Sequence, residues 1–160
     1  MAQAGLVLSD EGRTITAIND STTTAITAGD PVYFTANNDV VGATFASVRG
    51  AYAYGDIKVK TLVCSNTGYK TPAGIALNDA STSGSSQLTV ALEGLFAHPT
   101  NSDTEAGDPL MFDASTSQKV ENLRTNGNAG VGSAVIAWKV GRALTGGSAD
   151  TQYVIWKLTL

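Results

Sequence analysis

The sequence contains one histidine, His98, and histidine is the residue type that most often exchanges protons near neutral pH. Serine-hydrolase chemistry would require His98 to act as the general base for a serine on a Gly-x-Ser-x-Gly turn. No such motif occurs in the sequence. The segment Phe96-Ala97-His98-Pro99-Thr100 therefore predicts a histidine in a loop or at a strand end, and it disfavours an enzyme that uses His98.

Two aspartates could form a pair of catalytic carboxylates, since both lie in a repeated Gly-Asp-Pro motif. In this motif proline fixes φ and lacks a backbone N–H, glycine reaches backbone angles closed to other residues, and aspartate accepts hydrogen bonds from nearby amides. The combination predicts a tight turn that leads into a strand, so a structural role is favoured over catalysis. The six turn residues are Gly29, Asp30, Pro31, Gly107, Asp108 and Pro109.

Thiol and metal chemistry have little support in the sequence. The single cysteine, Cys64, excludes an intramolecular disulfide and a cysteine-based zinc site. It ends an alternating run, which predicts a small buried side chain rather than a reactive thiol. Residues 37–39 and 101–105 offer oxygen ligands for calcium, but neither follows the EF-hand spacing. Ordinary polar turns are favoured there, and we predict no catalytic residue, no cofactor and no metal.

Three tyrosines form a second kind of candidate site. Tyr52, Tyr54 and Tyr69 all fall within residues 44–70 and could present an exposed aromatic surface. Tyrosine supplies amphipathic contact area at low entropic cost, so such a surface would suit stacking on a saccharide or contact with a protein. The alternative is that these side chains are partly buried at the bases of loops.

Composition excludes further classes of function. The formal net charge is −4 at pH 7, and the basic residues are scattered, so binding of DNA or RNA is not expected. No apolar run approaches the roughly 18 residues of a membrane-spanning helix, and the first residues lack the features of a secretory signal. The sequence therefore predicts a protein made soluble in the cytoplasm, with neither nucleic acid nor membrane as a partner.

The elements that would position these residues are duplicated. The stretch Ala-Gly-Asp-Pro-Val-Tyr-Phe at 28–34 returns at 106–112 as Ala-Gly-Asp-Pro-Leu-Met-Phe. A Gly-x-Ala-Leu element follows each copy, at 74–77 and at 141–144. Two copies are too few for a solenoid, which needs at least about three repeats. They predict one closed domain with internal pseudo-duplication.

Domain boundaries follow from this duplication. We place the domain at residues 25–160, with pseudo-repeats at about 26–97 and 104–160. The first copy is the longer one, and its insertion falls within residues 44–70. Residues 1–24 are predicted to be either disordered or an extended arm that becomes ordered on a neighbour, and the arm is favoured. The candidate contact residues of this arm are Leu6, Val7, Leu8, Ile15 and Ile18.

Strand signals dominate the sequence and predict an all-β fold, a single compact β-barrel or β-tulip-like domain. In the last segment, Val154, Trp156, Leu158 and Leu160 alternate with more polar residues and are predicted to face the core. The predicted strands are 13–18, 32–36, 57–64, 88–97, 134–144 and 152–160.

The duplicated pattern resembles a known family. An Ala-Gly-Asp-Pro-Val-Tyr-Phe turn, a Gly-x-Ala-Leu strand, a strand ending Leu-Glu-Gly-Leu-Phe, a second Ala-Gly-Asp-Pro and a closing Val-Gly-Arg-Ala-Leu are similar to the capsid decoration, or cement, proteins of tailed bacteriophages. The likeness covers roughly residues 26–160 and departs from the family in its tyrosine-rich insertion. It implies a compact β-domain, commonly a homotrimer, without catalytic residues.

The resemblance also implies a place and a partner. Such a protein would be made in the host cytoplasm and would sit on the outer surface of the virion capsid. It would bind the major capsid protein at three-fold and quasi-three-fold positions and stabilise the head. The sequence thus favours a non-enzymatic viral structural protein. The alternative is a carbohydrate-binding or tail-associated adhesion module that uses the three tyrosines.

Overall fold

The computed structural model describes residues 6–10, 12–34, 58–61, 72–82, 86–113, 119–124, 139–149 and 152–160. All regular secondary structure within these ranges is β-strand, which confirms the all-β prediction. The strands are β1 Leu6–Asp10, β2 Thr14–Asn19, β3 Pro31–Phe34, β4 Lys58–Thr61, β5 Pro72–Ala76, β6 Gln87–Ala91, β7 Glu93–Pro99, β8 Pro109–Phe112, β9 Val120–Asn122, β10 Gly141–Ala143 and β11 Tyr153–Thr159.

Five strands form a closed barrel in the order β2-β4-β3-β5-β6, and antiparallel pairing of β6 with β2 completes the circle. One pairing is parallel, between β2 and β4, and the others are antiparallel. Alternate residues of each strand point into the barrel. The side chains that fill it are mostly small or β-branched. Val32, Val59 and Val90 are fully buried in this core.

Six strands form the second sheet, in the order β1-β7-β11-β10-β8-β9. The sheet curls, since β9 returns to the end of β7 through a parallel bridge between Val120 and Thr100. Its concave side holds the larger core cluster, which includes the fully buried Phe96 and Trp156. Bulky aromatic groups fill the wider space that an incompletely closed sheet leaves.

The last strand largely follows its predicted pattern. Val154, Trp156 and Leu158 are fully buried, as predicted. Leu160 is 39% exposed, so its predicted core position is wrong. It lies one residue beyond the end of β11.

The predicted strand 88–97 is two strands. β6 belongs to the barrel and β7 to the second sheet, and the chain crosses between them at Leu92. Gly94, with φ of 148°, follows this crossing. An uninterrupted apolar alternation conceals the crossing because both strands bury alternate residues.

The amino-terminal segment contributes one strand to each sheet. Within residues 1–24, β1 pairs antiparallel with β7, and β2 pairs with β4 and β6. Ile15 and Ile18 are half-buried, whereas Val7 and Leu8 are exposed. Whether β1 also contacts a neighbouring molecule stays a prediction.

Candidate functional site

The two Gly-Asp-Pro turns have the same hydrogen bonds. Asp30 Oδ2 accepts the backbone N–H of Thr27 at 2.8 Å, and Asp108 Oδ2 accepts that of Glu105 at 2.9 Å. Both aspartates are buried, with exposed fractions of 3% and 7%. In each turn the glycine before the aspartate has a positive φ, 91° at Gly29 and 97° at Gly107. The repeated carboxylates therefore hold their own turns closed.

Each turn is fastened to its Gly-x-Ala-Leu strand in the same way. Gly29 N–H donates to the carbonyl O of Ala76 at 2.8 Å, and Gly107 N–H donates to that of Ala143 at 2.9 Å. In return Ala76 N–H donates to the carbonyl O of Asp30, as Ala143 N–H does to that of Asp108, both at 2.9 Å. The two turn-strand units are thus matched bond for bond.

The pairing pattern extends the duplication backwards by one strand. A parallel pairing joins β2 to β4, and the parallel bridge joins the end of β7 to β9. Asp20 N–H donates to the carbonyl O of Val59 at 3.0 Å, and Asn101 N–H donates to that of Val120 at 2.9 Å. The corresponding strands are therefore β2 and β7, β3 and β8, β4 and β9, β5 and β10, and β6 and β11. We call the first set copy one and the second set copy two.

Replacing a turn aspartate should destabilise the fold, because its carboxylate has a structural role. We expect Asp108→Ala to lower the free energy of unfolding by about 2 kcal/mol, since it leaves the Glu105 N–H and Asn122 Nδ2 without their carboxylate acceptor. Urea denaturation measures this change. The control is Glu105→Ala, an exposed residue of the same turn, which should change the free energy by less than about 0.5 kcal/mol. Equal stability of the two variants would contradict the structural role of Asp108.

His98 lies in β7 at the junction of the two copies, with no exposed surface. Trp156 Nε1 donates to His98 Nδ1 at 3.0 Å, and His98 Nε2 lies 2.7 Å from the carbonyl O of Gly29. An indole N–H can only donate, so Nδ1 accepts and Nε2 carries the proton that it donates to Gly29. This neutral imidazole connects the turn of copy one to the core of copy two.

Burial lowers the pKa of His98 from 6.5 to about 4, and the hydrogen bond to Gly29 opposes this shift only in part. Both ring nitrogens are engaged and neither reaches solvent. A general base must reach a substrate proton directly or through one water molecule. The geometry therefore assigns His98 to the packing between the copies.

The outer face of the barrel contributes side chains to the core of copy two. Tyr33, Ile75 and Ala91 belong to the larger cluster, and Leu77 packs against it. The ring of Tyr33 meets the ring of Phe112 edge-on, with a centroid separation of 5.6 Å. Copy one thus covers the concave side of copy two with its convex surface.

Residues 103–105 of the candidate calcium segment line an open pocket of about 490 Å³. Asp103 Oδ1 accepts the backbone N–H of Ala149 at 3.0 Å, and Asp108 Oδ1 lies 3.4 Å from Arg124. Among the described residues, no three histidine, cysteine, aspartate or glutamate side chains are placed to hold a metal ion. The other calcium candidate, 37–39, lies outside the described residues, as do Cys64, Tyr52, Tyr54 and Tyr69.

Sequence reasoning missed two buried polar residues that brace the loop before each turn. Asn19 Nδ2 donates to the carbonyl O of Thr24 at 3.0 Å and to that of Ser81 at 2.9 Å. Thr100, at the equivalent place, donates its hydroxyl to the carbonyl O of Ser102 at 2.6 Å. The sequence feature that could have identified them is a polar residue at the end of a strand. It becomes informative only once β2 is known to correspond to β7.

Comparison with known proteins identifies no family. No family model matches the chain, and no curated protein matches it. Among solved structures, the chain is similar to "The crystal structure of head fiber gp8.5 N base in bacteriophage phi29", with 15% sequence identity and a TM-score of 0.48, over 92% of this chain and 93% of that chain. At this identity and TM-score the likeness carries no argument about function. Within the described residues there is also no helix long and apolar enough to cross a membrane.

Proposed function

We propose that this chain is a non-enzymatic structural protein of a tailed-phage head. In this proposal it decorates the outside of the capsid, binds the major capsid protein at three-fold and quasi-three-fold positions, and stabilises the shell as a homotrimer. The sequence resemblance to capsid decoration proteins motivates the assignment. This resemblance does not depend on the tyrosine-rich insertion.

One observation carries the non-enzymatic part of the proposal. The polar groups that recur in the two copies are engaged inside the protein, since Asp30 and Asp108 each accept a backbone N–H of their own turn. His98 is likewise buried and bonded at both ring nitrogens. A fold whose repeated polar residues shape turns supplies rigid surfaces, and a cement protein acts through many such surfaces at once.

Binding to heads tests the proposal directly. Purified protein is mixed with heads of the encoding virus from which the native copies have been removed, and the heads are sedimented. We expect saturable co-sedimentation, and gold-labelled antibody should mark the outer surface of the head of intact particles. Label confined to the tail, or protein that stays in the supernatant, would overturn the proposal. Binding to immobilised saccharides in place of heads would favour the adhesion module.

The test requires the full chain as its reagent. Deletion of residues 1–24 would remove β2, which pairs with both β4 and β6, and would open the barrel. Loss of head binding after that deletion would therefore report unfolding. Single exposed substitutions in β1 avoid this problem because Val7 and Leu8 lie at a sheet edge.

A further inference from the structure

Exposed apolar side chains are concentrated on one half of the molecule. Among the described residues, the large apolar side chains that are more than a third exposed all lie on the six-stranded sheet or directly after its strands. None lies on the barrel. They are Val7 at 38%, Leu8 at 49%, Leu144 at 48%, Ile155 at 37% and Leu160 at 39%.

One of them, Leu144, lies on a surface that copy one uses for packing. In copy one, Ile75 and Leu77 pack against the aromatic cluster of copy two. The pairing places Arg142 and Leu144 at the equivalent positions of copy two, where both are exposed. Each copy therefore has an equivalent surface. In copy one this surface packs against copy two, whereas in copy two it is exposed.

Copy two has an apolar residue on this face where copy one is polar. Leu77 N–H donates to the carbonyl O of Thr89 at 2.8 Å, and Leu144 N–H donates to that of Ile155 at 2.8 Å, so Ile155 replaces Thr89. We call Arg142, Leu144 and Ile155 the outer patch. Val7 and Leu8, on the edge strand β1, form the edge patch.

Charge indicates what covers the outer patch. Without Arg142 the chain has 9 basic and 14 acidic residues, a formal charge of −5, so the rest of a second copy is on average acidic. A two-fold contact centred on the outer patch would bring two Arg142 side chains together, and like charges at a contact are unfavourable. A head-to-tail contact instead places Arg142 against a different surface of a neighbour that is acidic overall.

We propose that the outer patch of one copy binds the edge patch of a neighbouring copy, in a head-to-tail contact that closes into a ring. The ring size, three chains, rests on the proposed function. Leu144 and Ile155 supply the apolar area and meet Val7 and Leu8 of the next chain. The contact joins the two surface regions that would otherwise leave apolar groups in water.

Light scattering of the purified full chain tests this contact in the absence of heads. The wild type should have a mass of three times 16.4 kDa at high concentration. Leu8→Asp and Leu144→Asp each place a carboxylate in the contact, and each should weaken association by about 100-fold. Ile155→Thr, which restores the residue of copy one, should weaken association by a smaller factor.

Mixing the two aspartate variants distinguishes head-to-tail from two-fold association. One variant keeps its outer patch and the other its edge patch, so the mixture can form one contact and should give pairs of chains without a ring. A two-fold contact between outer patches would leave Leu8→Asp associated on its own, and that result would overturn the proposal. A wild type that stays a monomer at every concentration would also overturn it.

The matched control is Gln87→Asp, which adds the same charge at an exposed position of the barrel and should keep the wild-type mass. The experiment is separate from head binding. A monomer that still coats heads would refute the contact and the homotrimer, and would leave capsid decoration standing. A trimer that does not bind heads would support the contact and refute the proposed function.

Discussion

Gly141→Ala is expected to lower the free energy of unfolding by at least about 4 kcal/mol, a loss in the exceptional range for one methyl group. A Cβ at this position would overlap the backbone carbonyl O of Lys157 and approach Trp156 Cε3 to 2.9 Å. The carbonyl belongs to β11, which pairs with both β10 and β7 and cannot shift without breaking one of them. Differential scanning calorimetry should show a melting temperature lower by roughly 10 °C.

Copy one supplies a replicate, and a nearby glycine supplies the control. Gly74 is the equivalent residue, and a Cβ there would overlap the backbone carbonyl O of Ala91, so Gly74→Ala should be comparably destabilising. Gly107 has a positive φ of 97° but open space around its Cα, so Gly107→Ala should cost only about 1–2 kcal/mol from backbone strain. A Gly141→Ala variant no less stable than Gly107→Ala would show that β10 and β11 are not packed as described.

His98→Leu is expected to cost about 3 kcal/mol at pH 7, because it leaves the Trp156 indole N–H and the Gly29 carbonyl buried without partners. The cost should shrink in acid. His98 has a folded-state pKa of about 4 and an unfolded-state pKa of 6.5, so the unfolded chain binds more protons between these values. The wild type should therefore lose stability as the pH falls from 6.5 towards 4.

The linkage gives the size of this loss. At pH 5 the His98 contribution to wild-type stability should be lower than at pH 7 by about 2 kcal/mol. The difference between wild type and His98→Leu should thus fall from about 3 to about 1 kcal/mol over this interval, since leucine does not titrate. Urea titrations at the two pH values measure it. A difference that is independent of pH would mean that His98 is not held neutral in the folded protein.

His98→Gln is the informative companion to His98→Leu. Its side-chain amide can donate to the Gly29 carbonyl and accept from Trp156, so it should recover part of the stability at pH 7. It carries no titrating group and should show the same weak acid dependence as leucine. Recovery of stability without recovery of the pH dependence would separate hydrogen bonding from ionisation at this position.

Local sequence was sufficient to predict the repeated turns. Gly29 and Asp30 have roles that depend on a few neighbouring residues, since a positive φ and a carboxylate beside backbone amides are local requirements. The same holds for the alternation of Val154, Trp156 and Leu158, because a strand with one face buried must alternate. The all-β class and the existence of two copies follow from such local patterns.

Tertiary structure alone decided how the copies fit together. The sequence could not show that β2 begins copy one, because a parallel pairing of β2 with β4 depends on residues far apart in the chain. It could not show that Leu92 carries the chain from one sheet to the other, nor that His98 joins Gly29 to Trp156. It also could not separate Ile75 from Arg142, which occupy one position of the repeat. Ile75 is buried by copy two, whereas Arg142 is exposed. Burial depends on which surfaces meet, and the two copies of the unit have different neighbours within one chain.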